Sequence, residues 1–223
     1  MTTAIIGVGK IGNALARDLV RGGEPVVVAA RNESNARALA NSPSSLASAA
    51  PVREAIASGD VVVFAVKPFE AMEELIAEHR DLLDGKKIVV DPSNQYILGP
   101  NNEFLRRLPE GRSSASMVVA MLPPGARYVK AFGTLDASSL ESAANRAPRR
   151  AVLFYATDDE RAASAIERLI SAAGFDSVKV GGVKDAARLE LPDGDLHQWG
   201  GLGGRLLDLD DARAAVAAAP RVA

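Results

Sequence analysis

The opening of the chain constrains it most. Thr3-Ala4-Ile5-Ile6 is a short apolar run that passes directly into Gly7-Val8-Gly9-Lys10-Ile11-Gly12, and an amphipathic segment begins at once. That order predicts strand, tight turn and helix. The first glycine lets the chain turn without a side-chain clash, the second lets backbone approach a diphosphate, and the third lets the helix pack on the strand. The free N–H groups at the helix start would then face the anion. Glycines at this spacing also occur in ordinary loops, so the flanking residues must decide.

They do so in two steps. Ile11, Ala14, Leu15, Leu19 and Val20 recur at three- and four-residue intervals, which gives one apolar helix face, and Gly22-Gly23 ends it. Pro25-Val26-Val27-Val28-Ala29-Ala30 then reads as a strand, completing a βαβ unit. Enzymes selective for NAD carry an acid at the end of that second strand to hold the ribose 2′-hydroxyl. Here the chain reads Arg31-Asn32-Glu33-Ser34. A guanidinium suits a 2′-phosphate by charge and by its planar donor fork, and Asn32 and Ser34 offer further donors. A hydrogen bond to a charged group contributes roughly 1.5–3 kcal/mol, about ten- to a hundredfold in affinity. The expected cofactor is therefore NADP, with Glu33 read as an acid in the first turn of the next helix.

Composition narrows the function classes. The 223 residues are 48% hydrophobic and 24% charged, ordinary for a globular protein with ample material for a core. A net charge of −2 argues against a nucleic-acid partner, and Arg146, Arg149 and Arg150 are read as an exposed turn. The absence of cysteine excludes disulfides, a thiolate nucleophile and Cys-ligated zinc. A strand within three residues of Met1 leaves no room for a signal peptide, and no apolar run approaches membrane-spanning length, so the expected location is the cytoplasm.

From Asn35 to Ser58 the Ala- and Ser-rich sequence, interrupted by Pro43 and Pro51, predicts two short helices joined by a turn. Asp60 to Val66 is an almost continuous apolar run, the pattern of a strand buried on both faces. Ligands of open α/β sheets lie beyond the carboxyl ends of strands, so Ala65, Val66, Lys67 and Pro68 should face the cofactor, with Pro68 in the first turn of a helix. His79 near that helix's end is read as packing. Lys87 to Val90 is the next buried strand, and Ser93 and Asn94 beyond it either reach the nicotinamide, a ribose or a substrate, or simply form a turn. A surface helix is expected between Gly99 and Gly111, a helix over Ser116–Leu122, and a strand over Tyr128–Phe132. Lys130 is read as a solvated strand-edge charge in preference to a site residue. A smaller α/β unit follows: strand 151–156, a helix opened by a Thr157–Glu160 capping box and closed by Gly174, and strand 176–180. Lacking a glycine fingerprint, it should extend the first sheet. The expected architecture is a Rossmann-type, doubly wound, mostly parallel sheet, with a nucleotide-binding domain over 1–136 and a C-terminal α/β lobe and Gly-rich tail over 137–223.

The tail carries Asp193, Asp195, His197 and Trp199 ahead of Gly200-Gly201-Leu202-Gly203-Gly204, and an Ala-rich helix begins near Asp208. In an extended chain Asp193, Asp195 and His197 would point to one side, which raises a metal site; three alternating ligands rarely close a cage, and no metal is expected. His197 is retained as a candidate catalytic group of a substrate cleft, against a structural tail anchored by its tryptophan.

Together the glycine loop, Ala30-Arg31-Asn32, Phe64-Ala65-Val66-Lys67-Pro68, Val90-Asp91-Pro92-Ser93-Asn94, Val129-Lys130-Ala131-Phe132 and the Asp158-Asp159 helix start resemble the NADP oxidoreductases dependent on the deazaflavin coenzyme F420. They are similar also to the dinucleotide-binding reductase domains of membrane metalloreductases. The resemblance covers roughly residues 1 to 190. It implies hydride transfer between NADPH and a deazaflavin or flavin co-substrate across a cleft, and a homodimer. Where many relatives carry Asn after the Lys-Ala-Phe triplet, this chain has Gly133. Hydride transfer between stacked rings asks mainly for positioning. Reduction of a small carbonyl or imine, the alternative, needs a placed acid, for which His197, Tyr128 and Lys130 are candidates. A non-catalytic NADP-binding sensor is the third reading.

Overall fold

The structure is a computed structural model in which residues 1–41 and 46–218 are described. The elements in order are β1 (Thr3–Ile6), α1 (Lys10–Arg21), β2 (Val26–Ala29), α2 (Glu33–Ala40), β3 (Ala47–Ala49), α3 (Val52–Ser58), β4 (Val61–Phe64), α4 (Phe69–Glu78) and β5 (Ile88–Asp91). They continue with β6 (Tyr96–Leu98), β7 (Phe104–Arg106), α5 (Ser114–Met121), β8 (Arg127–Lys130), α6 (Ala137–Ala143), β9 (Val152–Ala156), α7 (Glu160–Ala172), β10 (Asp176–Gly181), a 3-10 segment (Val183–Leu189) and α8 (Leu209–Ala217).

Eight strands form one sheet in the order β10-β9-β8-β5-β4-β1-β2-β3. From β3 to β8 all pairings are parallel, and β9 joins β8 antiparallel with β10 parallel to β9. Strands β1 and β4 lie side by side while the chain leaves them in opposite directions, which is the switch point where open sheets of this kind bind ligands. The buried runs supply both faces of the sheet. Ile5, Val63, Val90 and Val129 join α1, α2, α6 and α7 in one core, whereas Ile6, Val62, Phe64 and Val89 join α3, α4, α5 and α8 in the other. The architecture is therefore the Rossmann-type, doubly wound sheet that the alternation of apolar runs predicts.

Several expectations are corrected. Ala47–Ala49 is an added edge strand between α2 and α3, where a simple turn was expected. Alanine and serine carry little strand preference, and pairing with β2 imposes the conformation; the Pro43 interruption lies outside the described residues. The stretch from Gly99 to Gly111 is no helix: Tyr96–Leu98 and Phe104–Arg106 pair antiparallel around a turn with Asn102 at φ 61°. A Gly-Pro-Asn-Asn sequence favours that turn, and Tyr96 packs edge-on against Phe104 across it with centroids 4.9 Å apart. Helix α7 is capped by Asp159, which accepts from Ala162 N at 2.8 Å, while Thr157 donates to the Tyr128 carbonyl. Pro68 stands at the N-cap of α4, one residue before its first turn.

Lys130 is the largest correction. It is 1% exposed, and its Nζ donates to Asp91 Oδ2 at 3.0 Å, to Ser114 Oγ at 2.7 Å and to the Ser93 carbonyl, with Glu190 Oε1 at 3.6 Å. Tyr128 donates to the same Asp91 oxygen, and burial beside that carboxylate holds its phenol well above the usual range. Glu190 in turn accepts the Ser114 and Ala115 N–H groups at the start of α5. One buried ammonium thus joins the carboxyl ends of β5 and β8, the start of α5 and the tail. A pattern reading places an isolated lysine outside because its partners are distant in sequence. Replacing Lys130 with Met leaves Asp91 and Glu190 without their cation and is expected to cost about 3–5 kcal/mol, measured as a lower urea midpoint; an unchanged midpoint would contradict the network's role.

Candidate functional site

The rim of the sheet at the switch point is built from backbone. Gly7 closes β1 at φ 104°, and a Cβ there would lie 2.3 Å from the Ala65 carbonyl oxygen at the end of β4. A Cβ on Gly12 would lie 1.9 Å from the Gly7 carbonyl oxygen. Both glycines are therefore demanded by internal packing. Gly9 is different: its φ is −67°, and a Cβ there would meet nothing within 4 Å. The fold has no use for a glycine at this position, whereas a diphosphate lying against the loop would need the open space. Gly9 is also the N-cap of α1, which has neither a side-chain cap nor an acid in its first turn. Its leading N–H groups, together with Val8, Lys10 and Ile11, present a positive backbone end to that space. The residues present fit a dinucleotide.

At the end of β2, Arg31 is exposed and makes no hydrogen bond or ion pair among the described residues. Asn32 caps α2, its Oδ1 accepting from Ser34 N at 3.1 Å and from Ser34 Oγ at 2.7 Å. Among the described residues the side-chain amide N of Asn32 has no hydrogen-bond partner. Glu33 pairs with Arg37 one turn along, Oε2 to the guanidinium at 2.8 Å, and so turns from Arg31 as its place in the helix's first turn requires. Ala65 and Val66 are half-buried beside the glycine loop, and Lys67 is exposed with its Nζ 3.4 Å from the Tyr96 hydroxyl. Lys67 thereby links the end of β4 to the start of β6.

At the end of β5 the two candidates part company. Among the described residues the buried Ser93 hydroxyl has no partner. Both ends of the Asn94 amide are engaged, Nδ2 donating to the Gly133 carbonyl at 2.8 Å and Oδ1 accepting from Leu191 N at 2.9 Å. Asn94 thus straps the tail to the end of β8. Gly133 is required there, since a Cβ would lie 2.5 Å from the Pro92 carbonyl oxygen. The preceding Phe132, fully buried at φ 64°, holds a left-handed backbone that a bulky residue rarely adopts.

The tail is tightly wound, which explains its glycines: a Cβ on Gly200 would strike the Gly194 carbonyl, and one on Gly201 the Asp195 backbone. Asp193 pairs with Arg106 and Asp195 with Arg188, so the three alternating residues go to separate partners. His197 is 2% exposed; its Nδ1 accepts from Trp199 N at 3.1 Å and its ring also bonds the Gly133 backbone. Burial and the bond to Trp199 N tie the His197 ring into the tail. Tyr128 and Lys130, the other candidate acids, are consumed in the buried network. The sequence reading missed Asp91, Ser114 and Glu190, because a network assembled from four distant segments leaves no local signal.

The fold and this rim define the class first: a Rossmann-type α/β protein whose GxGxxG loop sits at the switch point. Comparison narrows it. Residues 2–95 match the family described as NADP oxidoreductase, coenzyme F420-dependent, so the resemblance read from the sequence holds over that stretch. A hypothetical protein from Sinorhizobium meliloti is similar in structure, with 28% identity and a TM-score of 0.78, covering 93% of this chain and 95% of that one. A proposed F420-dependent NADP reductase from Arthrobacter sp. FB24 shares 22% identity at a TM-score of 0.69, covering 83% and 87%. A reductive aminase from Aspergillus terreus, in complex with NADPH and ethyl levulinate, is 23% identical at a TM-score of 0.59; the match covers 85% of this chain and 57% of that enzyme. At these identities the last two likenesses speak for the fold. No helix among the described residues is long and apolar enough to cross a membrane.

Two measurements follow. Gly7→Ala should lower the melting temperature clearly, whereas Gly9→Ala should leave it within about 2 °C, the shift of a change well under 1 kcal/mol, and still abolish dinucleotide binding. Equal destabilisation by both would assign Gly9 to packing. Burial pushes His197 from its ordinary 6.5 down to about 4. The unfolded chain takes up this proton near pH 6.5 and the folded ring only near 4, so His197 removes roughly 3 kcal/mol of stability as pH falls through that window. Burial raises Asp18 to about 6, which acts with the opposite sign below that pH. The contribution of His197 is therefore read as the difference in urea stability between wild type and His197→Gln at pH 7 and pH 4.5; a difference independent of pH would contradict it.

Proposed function

We propose that this protein is an NADPH-dependent oxidoreductase passing a hydride to a deazaflavin of the coenzyme F420 type or to a flavin. The observation that carries the reading is Gly9, a glycine the fold does not need, at the N-terminus of α1. In this reading Gly7, Val8, Gly9, Lys10, Ile11 and Gly12 hold the diphosphate. The unpaired Arg31 takes the 2′-phosphate, helped by the free amide N of Asn32, with Ser34 holding Asn32 in place. Ala65, Val66, Lys67 and Pro68 line the path beyond β4, where the half-buried side chains of Ala65 and Val66 keep water from the ring. Ser93 offers its unpartnered hydroxyl at the nicotinamide end, and Asn94 shapes the wall there.

NADPH supplies the hydride, so the chain's own part is to bind, orient and exclude water. The internal engagement of Tyr128, Lys130 and His197 supports this reading over the reduction of a small carbonyl or imine, which needs a placed proton donor. The likeness to a reductive aminase keeps imine reduction as the second reading. A homodimer in the cytoplasm is part of the same proposal.

Incubation with NADPH and oxidised F420, followed by loss of the coenzyme's visible absorbance, tests the reaction, and turnover of a cyclic imine in its place would favour the second reading. Arg31→Ala should weaken NADPH roughly ten- to a hundredfold and leave NADH nearly unchanged. Equal losses for both would remove the phosphate assignment.

A further inference from the structure

Trp199, the chain's sole tryptophan, was expected to anchor the tail, and its Nε1 does tie the tail to Asp136 at the start of α6, but the ring itself is not packed away. Leu196, His197, Gln198 and Leu202 are buried, whereas Trp199 remains 48% exposed. The indole is nevertheless fixed. Its Nε1 donates to Asp136 Oδ2 at 2.5 Å, and Gly204, at φ 87°, lies against its six-membered ring so closely that a Cβ would come within 3.1 Å. Asp136 is itself held, its other carboxylate oxygen capping α6 through Ser139 N at 2.8 Å. A large apolar ring is thus oriented by a polar contact and left open to solvent, an arrangement that serves recognition better than packing.

Its place in the fold is at the rim. Gln198 N donates to the Thr134 carbonyl and His197 bonds Gly133, so residues 197–199 run along the turn that leaves the carboxyl end of β8. Helices α1 and α6 pack side by side in the same sense, joined by Arg17 and Glu141 at 3.8 Å. Asp136 precedes Glu141 by as many residues as Gly12 precedes Arg17. The indole therefore stands about level with the glycine loop, on the β5–β8 side, where the nicotinamide end of a dinucleotide falls in a sheet of this order.

We infer that Trp199 is the platform on which the planar heterocycle of the electron acceptor stacks, an inference that rests on the function proposed above. It commits that site to a flat, fused, aromatic acceptor in preference to a small aliphatic carbonyl or imine. An indole held in advance loses little entropy on stacking, and ring-on-ring contact of this kind changes affinity by about tenfold or more on truncation to alanine.

The sole tryptophan is also its own reporter. With NADP+ present, oxidised F420 and, separately, FMN should quench its emission saturably. In steady-state assays Trp199→Ala should raise the KM for the acceptor about tenfold, with the NADPH dissociation constant within twofold of wild type; Trp199→Phe, which keeps a ring, should recover most of the loss. An unchanged acceptor KM in Trp199→Ala, while wild type turns the acceptor over, sinks the platform and leaves the proposed function standing. A raised KM accompanied by a lower mass in light scattering assigns the indole to a subunit contact and equally overturns it. Failure of wild type to reduce any deazaflavin or flavin removes the proposed function, and the platform with it.

Discussion

The contact on which the site depends is between backbones. The carbonyl of Ala65, the loop at Gly7 and the first turn of α1 at Gly12 approach more closely than any side chain permits. This squeezes the ends of β1 and β4 against the start of a helix and sets that helix's N–H groups at the crevice where the strand order reverses. The apolar strands bury both faces of the sheet and fix its height. The glycines fix what stands at its edge. A methyl group at Gly7 or Gly12 would push the helix away from the rim, whereas one at Gly9 would cost the fold nothing and close the space above it. That contrast separates, within six residues, glycines that packing demands from one that it does not.

The other half of the rim is held by charge. Lys130 lies in the interior between two carboxylates, a phenol and a hydroxyl, and through Ser93 and Glu190 it ties the β5 turn and the tail to one point. Such a buried ion pair adds little net stability over apolar packing, but removing one member leaves an uncompensated charge. Asn94 and His197 extend the same strap through the Gly133 carbonyl region, which has no room for a side chain. Polar residues that would otherwise be candidate acids are thereby spent on holding the wall, which agrees with chemistry that asks for orientation more than for proton transfer.

Much of this was legible in the sequence. Continuous apolar runs identified β1, β2, β4, β5 and β9, because strands buried on both faces need no alternation. Helix α1 followed from its periodicity and glycine stop. What escaped was set by tertiary context. Ala47–Ala49 becomes a strand only because β2 offers an open edge, and the short triplets of the β6–β7 hairpin carry too few residues to show a period. Lys130, Asp91, Ser114 and Glu190 meet across 99 residues of sequence separation between the first and last of them. Trp199 was visible as an oddity, but its exposure was not, since nothing in a glycine-rich tail says which residues turn inward.

The most direct measurement is an amide NMR titration of the isotopically labelled protein with NADP+. Binding as described shifts and protects the amides of Val8 through Gly12 first, with the Arg31 side-chain signals responding to NADP+ and not to NAD+. Saturable shifts gathered at another part of the surface, with the glycine loop silent, would contradict it.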